Sequence, residues 1–531
     1  MHGTVMGALV SAVALVLGVG QAPTPGSVES GEGAATARSI GQAGGGARLD
    51  AQVAREVLEA ARGAQPVLCA IALEAVESRH GGWGWRDTPA GVADPSGAAR
   101  WALEERPADD ALPVLLRGIE DPDPCVRGVA ARVVSHARQG MATAGLLRVL
   151  ASPVATARAA ASIALGLSDD KAAVGDLVGL LEDRATEVKV AAAWALGALE
   201  DVRAAAPLRG KLSESVAEVR AAAAAALGQI QDSGVVQALV QVLRNDSDER
   251  VRLAAAVALG RLESREAVPA LGAALGDRSA ALRRTAAWAL GQIEDATAVP
   301  HLARVVRDRD EDVREMAVWA LGEIEDREAV EPLAGVLRSD EVTGLRRTAA
   351  WALGQIEDNS AVEPLATALR SDRDAAVRRM AAWALGQIES QSAVPALIAA
   401  VSDTSLAVRT MAVWALGEIE SERAVDALVG VLRDNSAAVR EKAAWALGQI
   451  ESDAAVPGLT GALRDADARV RRMALWALGQ IESPSAYVAI AEALRDGDAE
   501  VRAAAVRAMG RGGVNPMPMP MPMPMPRPFP R

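Results

Sequence analysis

Phenylalanine and tyrosine are almost absent. The chain of 531 residues has one of each, Phe529 and Tyr487. Its apolar half is built mainly from Ala, Leu and Val, small side chains that suit closely packed helices. Histidine is scarce too, with four: His2, His80, His136 and His301 lie far apart, and none precedes a Glu. Neither a repeated His-Glu metal set nor an H-E-x-x-H zinc helix can be written from them. Only two cysteines occur, Cys69 and Cys125, with no C-x-x-C pair, which argues against a structural zinc site. In an exported chain the two could form a disulfide; the simpler expectation is two separate thiols on helix faces. There is no Walker loop and no Gly-x-Ser-x-Gly, and the glycines at 44–46 follow no strand pattern that would make a phosphate cradle. No catalytic residue, cofactor or metal ligand is therefore assigned, and the chain is expected not to be an enzyme. A formal charge of −13 lacks the basic surface a dedicated nucleic-acid binder carries.

What is present is repetition. The phrase Trp-Ala-Leu-Gly-Gln-Ile-Glu begins at Trp288, Trp351, Trp383, Trp445 and Trp476, and a Glu variant begins at Trp319 and Trp414. Its glycine recurs from Gly166 to Gly510 at intervals of 31 or 32 residues. A fixed period of that size specifies stacked supersecondary units. The expected fold is all-α, a solenoid of about 13 helix pairs. In one unit, Val394, Leu397, Ile398 and Val401 mark an amphipathic first helix, with Pro395 tolerated in its first turn. The segment from Asp403 to Ser405 breaks the helix and offers the next cap. Val408, Met411, Ala412, Ala415, Leu416 and Ile419 form the stripe of the second helix. On a helical wheel Gly417 points away from that stripe, with Thr410 and Val413 beside it.

Taken in order, residues 1–22 read as a secretory signal with an apolar run and small residues near its end, though without a basic start. This predicts an exported chain, periplasmic or extracellular, with no membrane span unless that segment is retained as an anchor. Residues 23–48 are a Gly/Ala/Ser-rich linker, and 49–106 an irregular helical cap whose loop carries Trp83 and Trp85. The array spans 107–511. Residues 512–531 alternate Met and Pro, a composition that forbids helix and sheet and predicts a disordered tail. Its thioethers could select Cu(I), but in a polyproline II conformation Met517, Met519, Met521, Met523 and Met525 do not share a face.

The units resemble HEAT repeats, specifically the short Ala-rich kind of the phycobiliprotein lyases. The resemblance rests on a Pro in the first helix, an Asp eight residues on, and Val-Arg soon after: Pro300, Asp308, Val313, Arg314, and again Pro395, Asp403, Val408, Arg409. It implies that the pairs Asp308/Arg314, Asp340/Arg346, Asp372/Arg378 and Asp403/Arg409 belong to a structural ladder tying units together, with Asp183/Lys189 a weaker copy. Bilin lyases and deoxyhypusine hydroxylases are enzymes with similar repeats. The His-Glu pairs of the hydroxylases are missing here, and no residue marks a tetrapyrrole pocket, so both activities are disfavoured.

Two columns remain on the second helices. One is Trp288, Trp319, Trp351, Trp383, Trp414, Trp445 and Trp476, with Trp194 an outlier. The other, four residues on, contains Gln292, Gln355, Gln387 and Gln449 among its members, with Glu323 and Glu418 as acidic variants. Arg284, Arg347, Arg379 and Arg472 share a third position, alternating with Glu315 and Glu441. Either the Trp column stitches adjacent units, or the columns line the concave groove that second helices form in HEAT solenoids and hold a protein or extended peptide, as similar ladders do in armadillo solenoids. The mixed charge suits a protein ligand rather than a phosphate track. The expectation is a monomeric, non-catalytic interaction scaffold.

Overall fold

The computed structural model describes residues 49–62, 106–138 and 140–510. The expected signal segment and linker, Cys69, Trp83, Trp85 and the Met-Pro tail lie outside the described residues. Cys125 itself is disulfide-bonded, which corrects the expectation of two separate thiols.

Among the described residues, a helix at Ala51–Ala61 precedes thirteen helix pairs, from Leu112–Ile119 with Pro124–Ser135 to Pro484–Ala493 with Ala499–Met509. They fall into two compact units, divided between Ile293 and Glu294. Six pairs belong to the first and seven to the second. The opening helix packs on the first pair, and an isolated bridge joins Leu49 to Pro107. Inside each unit, consecutive second helices pack on one another and on their own first helices.

The turns explain the period. Each second helix from Ala155–Leu167 to Ala468–Ile481 is followed by a residue in the left-handed region. Nine of these eleven are Glu, including Glu325 (φ 53°), Glu357 (φ 52°) and Glu420 (φ 51°). That conformation reverses the chain sharply, a task usually given to Gly or Asn. An Asp or Ser follows and opens the next turn: the Asp326 carboxylate accepts from the Glu328 N–H at 2.8 Å, and Asp358 from Ser360 at 2.8 Å. Proline stands at the start of several first helices, as at Pro300 and Pro395, where its missing N–H leaves no bond unmade.

In the unit of Val394–Ala400 and Leu406–Glu418, the first helix buries Val394 and Leu397 as its spacing predicts, with Ile398 half-buried. The Ser405 hydroxyl does not cap the second helix. The Asp403 carboxylate takes that part, accepting the Ser405 N–H at 2.7 Å. The second helix also departs from its wheel. Val413 and Gly417, expected on the open side, are buried together with Trp414. A wheel assumes one buried face, whereas a stacked helix touches its own first helix and a second helix on either side.

Candidate interaction face

The phrase glycine makes the seam between units. A methyl placed on Gly354 would lie 2.9 Å from the Ala384 Cα and 2.9 Å from Trp383 Cζ3. The same two neighbours, the Ala and the Trp of the following unit, meet Gly166, Gly260, Gly322, Gly386, Gly417 and Gly448. The absence of a side chain lets two helix backbones approach, and the next indole fills the gap beside them. Trp194 sits on Gly166 in this way, so it is a regular member of the set and not an outlier.

Consequently the indoles are sunk. Trp319, Trp351, Trp383, Trp414 and Trp445 are buried, and Trp288 and Trp476 half-buried. The Trp351 and Trp383 indole N–H groups are buried without an acceptor, whereas Trp414 stands beside the Glu418 carboxylate one helical turn on and favours its charged form. The Trp column is thus committed mainly to packing between units.

The polar columns lie otherwise. Gln292 and, in the second unit, Glu323, Gln355, Gln387, Glu418, Gln449 and Gln480 are all half-buried at the same register. Arg347, Arg379 and Arg472, with Glu315, Thr410 and Glu441, form a second half-buried column nearer the helix N-termini. Each side chain is rooted in a packed helix and remains partly open to solvent. Burial pushes the Glu315 carboxyl above the usual range, Asp312 and Glu311 add to this, and Arg347 of the next unit opposes it. At the other end of the helices, the exposed left-handed glutamates form an acidic edge. Although Glu325 is exposed, partial desolvation of its carboxyl raises it, and its neighbours Glu294 and Glu357 raise it further. Glu418 is raised by burial and then by Glu389. The face is therefore graded, with mixed charge along one edge and carboxylates that repel one another along the other.

One member breaks the pattern. Lys442 stands where other units carry Met316, Thr348, Met380, Met411 and Met473. Its Nζ lies 5.6 Å over the Trp445 ring, and burial lowers its pKa while Glu441 and Glu418 favour its charged form. Sequence reading passed over it because a single Lys within a stripe of Met and Thr carries no repeated signal.

Beside the arginine column, at the preceding residue of each second helix, runs the ladder. Arg346 donates from Nη1 to the Asp340 carbonyl at 3.0 Å, six residues back in its own unit. Its Nε and Nη2 grip the carboxylate of Asp372, in the next unit, at 2.8 and 3.1 Å. Arg314–Asp340, Arg378–Asp403, Arg409–Asp434, Arg440–Asp465 and Arg471–Asp496 repeat the carboxylate pairing. From Asp340 to Asp496, the Asp of each Asp–Arg sequence pair thus gives its carbonyl to its own Arg and its carboxylate to the preceding repeat's. The Arg378 guanidinium holds the Asp403 carboxyl below its ordinary range, against the opposing effect of burial. In the first unit Arg158–Asp183 and Arg220–Asp246 belong to the same ladder. Both arginines escaped the sequence reading because Ser152 and Glu214 stand where their own units should carry Asp. Lys189, the weaker copy, pairs with Glu214.

Among the described residues, no group of three or more His, Cys, Asp or Glu could hold a metal ion, and no helix is long and apolar enough to cross a membrane. No curated protein matches the chain. Among solved structures, it is similar to an engineered protein (24% identity, 64% of this chain and 98% of that one, TM-score 0.36). A second is a structure of Kap95p with RanGDP (16% identity, 76% and 67%, TM-score 0.47). A third is human deoxyhypusine hydroxylase in complex with glycerol (28% identity, 47% and 96%, TM-score 0.23). The model of the PBS lyase HEAT-like repeat matches residues 219–245. The model of HEAT repeats matches residues 143–228, 236–315, 302–375, 362–441 and 430–510, and the chain belongs to the HEAT-repeat family.

Proposed function

We propose that this protein is a non-catalytic interaction scaffold that holds a protein or extended polypeptide segment along the outward face of its second helices. The observation that carries this reading is the pair of polar columns, Arg347 and Arg379 with Gln355 and Gln387, held half-buried at one register. Side chains fixed by packing lose little further freedom when they bind. Amides can both donate and accept, which suits a polypeptide main chain. The acidic edge, where Glu325 and Glu418 already repel their neighbours, favours basic side chains in the occupant. In this reading the tryptophans act from beneath, by setting the spacing of the columns. An exported location fits the apolar run at residues 1–22 and the disulfide at Cys125.

The test is site-specific photocrosslinking in native extract. A photoreactive residue replaces Gln387 or Arg379 in one pair of variants, and Arg370, exposed on a first helix, in a control. The reading expects one defined adduct from positions 387 and 379 and none from 370. Equal labelling from all three positions overturns it.

A further inference from the structure

The last described unit leaves open a surface that every earlier unit covers. Val506 aligns with Leu475, and Met509 with Leu478, one period earlier; those leucines are fully buried, whereas Val506 is 62% and Met509 42% exposed. Leu494, ending the last first helix, is 38% exposed, where Leu463 one unit earlier is half-buried and Leu432 before it is 8% exposed. Arg502 completes the set. Its Nη1 donates to the Asp496 and Gly497 carbonyls at 2.8 and 3.1 Å, as the ladder requires, but no following unit among the described residues brings an Asp to its fork. A solenoid needs its terminal apolar face covered or made polar, and Val506, Met509 and Leu494 are neither.

We propose that residues 512–531, the Met-Pro segment, lie across this face and cap the array, in place of the disordered tail expected from composition alone. Three arguments select this occupant. The segment starts two residues after Gly510, so its tether holds it at high effective concentration beside the face. At about 3.1 Å per residue its reach is on the order of 60 Å, whereas the helix it must cross, Ala499–Met509, is roughly 16 Å long. Its chemistry also fits. Met517, Met519, Met521, Met523 and Met525 supply flexible apolar side chains that mould to an irregular surface. Proline at every second position from Pro516 to Pro530 removes half of the backbone N–H groups, so the segment can cover apolar side chains with few donors left unpaired. Its carbonyls remain, and Arg502 has donors for them.

Hydrogen exchange of Ala499–Met509 in the full chain tests this, measured over a range of protein concentrations. It is compared with a variant ending at Arg511 and with one carrying Met517→Ser, Met519→Ser, Met521→Ser, Met523→Ser and Met525→Ser at unchanged length. Capping predicts at least about tenfold faster exchange in both variants, confined to the last unit, and no concentration dependence in the full chain. Unchanged exchange in either variant overturns the proposal. Protection that disappears on dilution, with a dimer in light scattering, also overturns it and assigns the face to a second copy.

Discussion

Gly354→Ala and Gly335→Ala are the same chemical change with opposite expected signs. Both glycines lie in α-helices, Thr343–Ile356 and Val330–Ser339. A methyl at Gly335 meets nothing within 4 Å, so the substitution only removes the helix cost of glycine and stabilises by about 0.5–1 kcal/mol. At Gly354 the methyl arrives 2.9 Å from the backbone Cα of Ala384, its Cβ and the Trp383 ring. Comfortable carbon contacts are about 3.5–4.0 Å, so the two second helices must part by roughly 0.6–1 Å. Overpacking of this kind costs about 1–3 kcal/mol, and the helix gain offsets about 1. A net loss of roughly 0–2 kcal/mol follows, about 1–3 kcal/mol worse than Gly335→Ala and centred on the seam between the two repeats. Urea denaturation gives the sign. Hydrogen exchange gives the place, which matters because repeat arrays open locally and one global free energy does not describe them. If Gly354→Ala stabilises as Gly335→Ala does, the glycine does not make the seam and the account of the period is wrong.

Other perturbations act on the turns and the ladder. Arg378→Ala removes the Asp403 fork and the carbonyl bond to Asp372, and is expected to cost about 2–3 kcal/mol; Arg378→Lys should recover less than half, since one ammonium cannot span both partners. Chemical denaturation of the three proteins decides this. The ladder carboxyls of Asp403, Asp434 and Asp465 are all held below their ordinary range. Their contribution is therefore complete above the unfolded value near 3.9 and is lost as pH falls through the lower folded values. Thermal unfolding should show a plateau above about pH 5 and a steep fall below about pH 4; a midpoint that is flat to pH 2 would contradict the pairing. Glu325→Gly relieves a left-handed backbone and a carboxylate raised by partial desolvation and by Glu294 and Glu357. It should stabilise by about 1 kcal/mol near pH 7, and the gain should shrink as pH drops and that carboxyl protonates.

Much of this fold is legible because its repeated residues are chemically distinctive. Gly, Trp and Pro each solve a different steric problem, and their recurrence at 31 or 32 residues fixes the unit and the pairing of helices. What the pattern does not carry is direction. A wheel places Gly417 outward because the residues that bury it, Trp445 and Ala446, belong to the next unit. The ladder is obscured in the same way. Arg346 and Asp340 are neighbours in sequence, yet the carboxylate that matters most to Arg346 is Asp372, one unit on. The left-handed Glu357 is invisible because Glu is an ordinary helix former and nothing in its type announces the turn. Of the candidate site, the columns were readable as positions; their division into sunken indoles and outward amides required the neighbouring helices.

The central claim is that the tryptophans build the face and the polar columns use it. It is tested by comparing two variants with wild type as baits in native extract, each checked by hydrogen exchange for local folding. One carries Trp351→Ala, Trp383→Ala and Trp414→Ala; the other carries Arg347→Glu, Arg379→Glu, Gln355→Ala and Gln387→Ala. The account predicts that the first variant opens its central units, because emptying a buried indole site costs about 3–5 kcal/mol. The second should keep wild-type exchange and lose the specific partner that wild type captures. A folded polar-column variant that retains that partner, or a tryptophan variant that stays folded, would contradict it.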